Sequence, residues 1–126
     1  MALGEKRINK ITKSFSASFM SNAKWRKLLT LLANSIYLVN SPYLRDRYRW
    51  KFVDSEKIFE TPIIEVEELD ENYIKDGRNQ PFIYREVEWL EIVTDDPKEI
   101  TDELLKHGQF ALDKSEKGFK IIAYVL

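Results

Sequence analysis

The sequence predicts an α+β domain in which a mainly antiparallel sheet of about five to six strands packs against two to three helices. Three observations predict it. Trp25, Leu28, Leu29, Leu32 and Ile36 recur at the spacing of one helix face. From Ile36 onward the apolar period changes to two, the period of strands. The connections between the apolar runs are short, which favours antiparallel neighbours over parallel crossovers. With 126 residues, 44% of them hydrophobic and 13% aromatic, the chain can build one real core and has no room for a second domain. We divide it into a basic lead, residues 1–20, and a single α+β domain, residues 21–126.

In the lead, Ile8, Ile11, Phe15 and Phe19 are spaced by threes and fours beneath Lys6, Arg7, Lys10 and Lys13, a helical pattern. The same pattern describes an organellar transit peptide or a membrane-surface helix, but an amphipathic helix docked on the core is the commoner outcome. Ser21 or Asn22 is placed to cap the next helix, with Lys24, Arg26 and Lys27 on its exposed face and Asn34 and Ser35 as stop signals. Ile36 to Val39 reads as a short strand and Asn40-Ser41-Pro42 as a turn. Arg45, Arg47, Arg49 and Lys51 then alternate with Leu44, Tyr48, Trp50 and Phe52, giving a strand with one cationic and one largely aromatic face.

Asp54-Ser55-Glu56 turns the chain into a short strand over Lys57–Glu60, and Pro62 marks an edge or a bend before Ile63–Leu69. Residues 70–81 are the longest polar stretch, with Asp76-Gly77 as a turn signal, and read as a surface loop. Phe82–Val93 reads as the longest strand. Its apolar residues occupy both parities, Val87 and Trp89 on one and Leu90 and Ile92 on the other, so it is buried on both faces or carries a parity-switching bulge. Asp95 or Asp96 caps a helix with Pro97 at its first position and Ile100, Leu104 and Leu105 as its stripe, ended by Gly108. Phe110–Leu112 and Phe119–Val125 form a hairpin across residues 114–118. The expected core gathers Tyr48, Trp50, Phe52, Trp89, Ile121 and Ala123 against Trp25, Leu28, Leu29 and Leu32.

Charge is unevenly distributed. Residues 1–51 hold eleven Lys and Arg against two acids, a net of +9, and residues 52–126 hold nine against nineteen, a net of −10. Such polarity means either two oppositely charged surfaces with their own partners or basic strands lying beside acidic ones. The absence of cysteine removes disulfides, thiol catalysis and thiolate metal sites, and fits a reducing compartment, the cytoplasm by default. No apolar run approaches the ~20 residues of a membrane helix.

Catalytic equipment is sparse. The single histidine, His107, precedes a glycine at a helix end, where a cation favours the helix dipole. Gly4, Gly77, Gly108 and Gly118 are isolated, so no phosphate-cradling loop is present. The pairs Glu65 with Glu67 and Glu86 with Glu88 each place two carboxylates on one strand face. That arrangement suits hard-metal ligation in a metal-dependent nuclease, and it equally suits pairing with Arg45, Arg47 and Arg49 across a sheet. Arg45, Arg47, Arg49 and Lys51, interleaved with aromatics, are the candidate nucleic-acid contacts. Strand alternation opposes that reading, because it sends Tyr48 and Trp50 to the face opposite the cations.

Asn22-Ala-Lys-Trp25 opening a Leu-rich helix, Arg47-Tyr-Arg-Trp50 and Val87-Glu-Trp-Leu-Glu-Ile92 together resemble a family of small uncharacterised bacterial proteins known only as a domain of unknown function. The resemblance spans residues 21–106 and implies no activity. The expected function is therefore that of a non-enzymatic binding protein, without cofactor or metal, of the kind exemplified by bacterial immunity or inhibitor proteins. Its partner is another protein, met through Glu65, Glu67, Glu68, Asp70, Glu71, Asp76 and Arg78. A nucleic-acid-binding module and a metal-dependent nuclease are the two rival readings.

Overall fold

The computed structural model describes residues 13, 15, 17–35, 47–61, 66–69, 73–76 and 82–125, with backbone alone for 33, 61, 66–69, 73–76 and 82–83. The strand expected over Ile36–Val39, the turn after it, Leu44, Arg45 and Pro62 lie outside those residues.

Helix α1, Asn22–Ala33, starts where the Ser21 hydroxyl accepts the Lys24 N–H at 3.1 Å, satisfying a donor that the first helical turn leaves open. It ends at Asn34, whose backbone N–H and side-chain amide both turn back onto the Thr30 carbonyl. Trp25, Leu28, Leu29 and Leu32 are all buried, as the helical spacing requires. The helix expected in the basic lead does not extend through its last residues. Ala17–Ser18 is strand β1, paired antiparallel with β10, Tyr124–Val125. Ser18 lies opposite Tyr124, and the Phe19 N–H bonds the Ala123 carbonyl at 2.8 Å. A backbone that gives its hydrogen bonds to a neighbouring strand cannot also give them to its own helix.

The main sheet is five-stranded and antiparallel throughout, in the order β3-β2-β7-β9-β8. Its strands are β2 (Arg47–Phe52), β3 (Ile58–Thr61), β7 (Val87–Val93), β8 (Leu112–Ser115) and β9 (Gly118–Ile122). On its inner face Tyr48, Trp50, Leu90, Ile92, Phe119 and Ile121 are buried in one cluster with the apolar side chains of α1 and with Ile100 and Leu104 of α2, Pro97–Leu105. Helix α2 ends at Leu105, short of Gly108, with Lys106 and the exposed His107 in the turn that follows. The β8–β9 hairpin is tighter than the sequence suggests. Ser115 pairs with Gly118, so only Glu116 and Lys117 form the turn. Gly118 also lies opposite Val93 of β7, and a β-carbon there would sit 1.9 Å from the Ile92 carbonyl oxygen. No side chain fits that approach.

Three further corrections concern the middle of the chain. Residues 70–81 are not one loop: β5, Tyr73–Asp76, is the central strand of a three-stranded sheet between β4, Val66–Leu69, and β6, Phe82–Ile83. The run 82–93 is not one strand either, because a 3₁₀ turn over Tyr84–Glu86 separates β6 from β7 and carries the chain from the small sheet to the large one. Finally, Trp89 is only half-buried and leaves the core list. Lys51 pairs with Trp89 while Phe52 pairs with Val87, so Glu88 is an extra residue, and this bulge switches parity. Val87 thereby joins the core, whereas Trp89 stands on the outer face beside the charges. Among the described residues no helix is long and apolar enough to cross a membrane.

Candidate functional site

The outer face of the main sheet shows what becomes of the basic strand. Pairing aligns Glu60, Arg49, Glu91, Lys120 and Asp113 in one row across all five strands, with charges that alternate in sign. Arg49 Nη1 donates to Glu91 Oε1 at 2.6 Å, and the Glu91 side chain is only 5% exposed, so a charge-assisted hydrogen bond offsets the cost of burying that carboxylate. The bulge delivers Glu88 to Lys51, Nζ to Oε1 at 3.1 Å. Arg47 reaches Glu60 at 3.3 Å near the sheet edge. Lys120 lies over the Trp89 ring, 4.0 Å from its centre, a cation–π contact.

This arrangement bears on both rival readings. Each of the three described candidate nucleic-acid contacts, Arg47, Arg49 and Lys51, already holds a carboxylate, and Tyr48 and Trp50 are 2% and 3% exposed, with no ring face open for a base. Phosphates would have to displace three ion pairs, and stacking would have to open the core. As for the carboxylate pairs, Glu86 and Glu88 do not share a strand face. Glu86 is buried in the 3₁₀ turn and Glu88 is the bulge residue bound to Lys51. Among the described residues no three His, Asp or Glu gather as a metal would need.

Three residues of the expected contact region fall on the small sheet. Glu67 and Glu68 belong to β4 and Asp76 ends β5, whereas Glu65, Asp70, Glu71 and Arg78 lie outside the described residues. Sequence reading treats these positions as strand followed by loop; the structure makes Glu67, Glu68 and Asp76 part of the two arms of an antiparallel hairpin. Val66 faces Asp76, Glu68 faces Lys75 and Leu69 faces Ile74, so Glu67 is the additional residue of a second bulge. Bulges terminate or re-aim strand pairing and recur beside functional sites. Residues 65–76 carry six carboxylates and one lysine, a net of −5. The β2 cations hold Glu60, Glu88 and Glu91, none of which belongs to this run.

The α1 N-terminus, β10 and the 3₁₀ turn form a second polar region, which sequence reading does not single out. The Tyr124 hydroxyl donates to the Arg85 carbonyl at 3.2 Å, and Phe15 packs against the Tyr124 ring with centroids 5.1 Å apart. Burial pushes the phenol above its ordinary value of 10.0, against the opposing pull of the Arg85 charge and hydrogen bond. Residues so far apart in the chain carry no shared motif; the β1–β10 pairing and the bonds from Ala123 and Tyr124 to the Glu88 and Arg85 carbonyls bring them together.

Comparison of the chain with protein-family models, with curated proteins and with solved structures finds no match.

Proposed function

We propose that this domain is a non-enzymatic binding protein that engages a basic protein partner through the acidic β4–β5 hairpin. The observation that carries the reading is the division of the carboxylates. Glu60, Glu88 and Glu91 of the main sheet hold the basic strand, whereas Glu67, Glu68 and Asp76 belong to a separate small sheet within a run, residues 65–76, of net charge −5. An acidic hairpin is suited to covering a basic active site or a basic docking patch, as a bacterial immunity or inhibitor protein does. Its field would speed encounter with such a partner more than it would tighten the final complex.

The test is a pull-down from the native organism followed by association kinetics. Wild-type protein recovers a basic protein, and raising salt slows the association rate. Reversing Glu67, Glu68 and Glu71 to Lys slows association by at least tenfold while the thermal transition stays in place. Recovery of nucleic acid without protein, or a reversal variant that associates as fast as wild type, refutes the reading.

A further inference from the structure

At the second polar region the surface opens into a cavity of about 410 Å³, lined by Lys13, Ser18, Ser21, Asn22, Arg85 and Tyr124 among others. The geometry points to a binding site there for a small dianion of the phosphate class, independent of the acidic hairpin.

Two cations from distant parts of the chain, Lys13 ahead of β1 and Arg85 in the 3₁₀ turn, converge on this space, and no described lining residue is acidic. Among the described residues neither cation is held in an ion pair, in contrast to all three cations of β2. Arg85 is also anchored. Its carbonyl accepts the Tyr124 hydroxyl, and Phe15 backs the Tyr124 ring, so the turn that presents the guanidinium is fixed to the last strand. A phenol is protonated at neutral pH and burial raises its pKa further, so the Tyr124 hydroxyl remains a donor to that carbonyl.

A second cavity, of about 500 Å³ beside the β8–β9 turn, makes the contrast. There Lys114 and Lys117 share the lining with Asp95 and Glu116, so the charges balance, and the adjoining helix α2 carries Glu99 in its first turn. Helix α1 has no acid in its first turn, so its dipole adds to the field of Lys13 and Arg85 and is not opposed there. Two unmatched positive charges call for a doubly charged ligand. The guanidinium fork suits the paired oxygens of a phosphate, with Lys13 as a point charge and the lining hydroxyls as further partners. The volume falls within the range of small-ligand sites, roughly 300–1,000 Å³.

The test is a titration of the full chain with inorganic phosphate, followed by backbone amide resonances. We expect saturable shifts at Ser21–Lys24 and Arg85, and an affinity lowered on the order of tenfold in each of Lys13→Gln and Arg85→Gln. A Lys114→Gln, Lys117→Gln double variant at the balanced cavity should bind as wild type does. Both Lys13 and Arg85 are exposed, so their variants keep the fold, which a thermal melt verifies. A parallel titration with O-phosphoserine separates the sources. Equal or tighter binding assigns the site to phosphomonoesters, and weaker binding assigns it to the free ion; either result supports a phosphate-class site. Shifts that never saturate, acetate binding as tightly as phosphate, or Lys13→Gln and Arg85→Gln variants that bind like wild type would overturn the proposal.

Discussion

Strand β2 and the β4–β5 hairpin are both dense in charge, and they use it in opposite ways. On β2 the cations alternate strictly with core residues, so each has a defined place on the outer face and meets a carboxylate from a neighbouring strand. On the hairpin the carboxylates follow no such alternation in sequence, a bulge interrupts the pairing at Glu67, and among the described residues only Glu68 has a base directly across from it in register. Charge that alternates with a core is part of the fold's own construction, and the proposed function assigns the charge that ignores that period to a partner. The comparison breaks if the charges of β2 prove dispensable to stability, or those of the hairpin indispensable.

The largest effect belongs to the inner face of β2. Trp50 is 3% exposed at the centre of the core cluster, and Trp50→Ala should cost about 3–5 kcal/mol, enough to unfold a domain of ordinary stability. Chemical denaturation monitored by circular dichroism reads this directly; a loss below about 1 kcal/mol would mean that the aromatic face of β2 does not face the core. Gly118→Ala comes next, at about 3 kcal/mol, the upper end of ordinary overpacking. The obstacle is the Ile92 carbonyl of β7, which cannot move aside without disturbing the ladder that β7 makes with β9. If that variant melts with wild type, the β7–β9 register described above is wrong.

How much of this was legible beforehand follows from which forces are local. The stripe of α1, the Ser21 cap, the alternation of β2 and the Pro97 start of α2 are written in residues a few positions apart, and the structure agrees with each. The bulge at Glu88 could be read only as one of two explanations for mixed parity, because choosing between them needs the partner strand. Strand β5 was hidden because Tyr73–Asp76 has too few apolar residues to announce itself, and its two neighbours supply the pairing that makes it a strand. Of the candidate sites, the basic strand was visible in sequence but its neutralisation was not. The cavity at Arg85 was invisible, since Lys13, Arg85 and Tyr124 are united by tertiary contacts, the β1–β10 pairing and the Tyr124 bond to the Arg85 carbonyl.

The ion pairs of β2 rank by burial, and that ranking gives the next-largest effect. Arg49 and Glu91 combine the shortest distance, 2.6 Å, with a carboxylate 5% exposed and a guanidinium 34% exposed. A double-mutant cycle with Arg49→Ala and Glu91→Ala should return a coupling of about 1–2 kcal/mol. That is below the range for fully buried charged hydrogen bonds, because Arg49 keeps access to water. The coupling should survive moderate salt, since water and ions reach only one partner. A coupling indistinguishable from zero would mean that Glu91 is satisfied by other groups and that the alternating row is incidental.

The smallest effect is expected at Arg47 and Glu60, which make the same kind of contact on the same face with 41% and 46% of their side chains exposed and a separation of 3.3 Å. Two exposed long side chains lose conformational freedom to meet, and water competes for both, so the coupling should be no more than about 0.5 kcal/mol and should vanish in molar salt. The pair serves as an internal control, because strand, face and chemistry match those of Arg49 and Glu91 and mainly burial and distance differ. If the two cycles returned equal energies, burial would not be what makes the charges of β2 structural. The distinction drawn between this strand and the acidic hairpin would then lose its physical basis. A ratio of at least two between the couplings, widening as salt is raised, would place the hairpin's carboxylates against a measured scale of what a structural charge on this protein contributes.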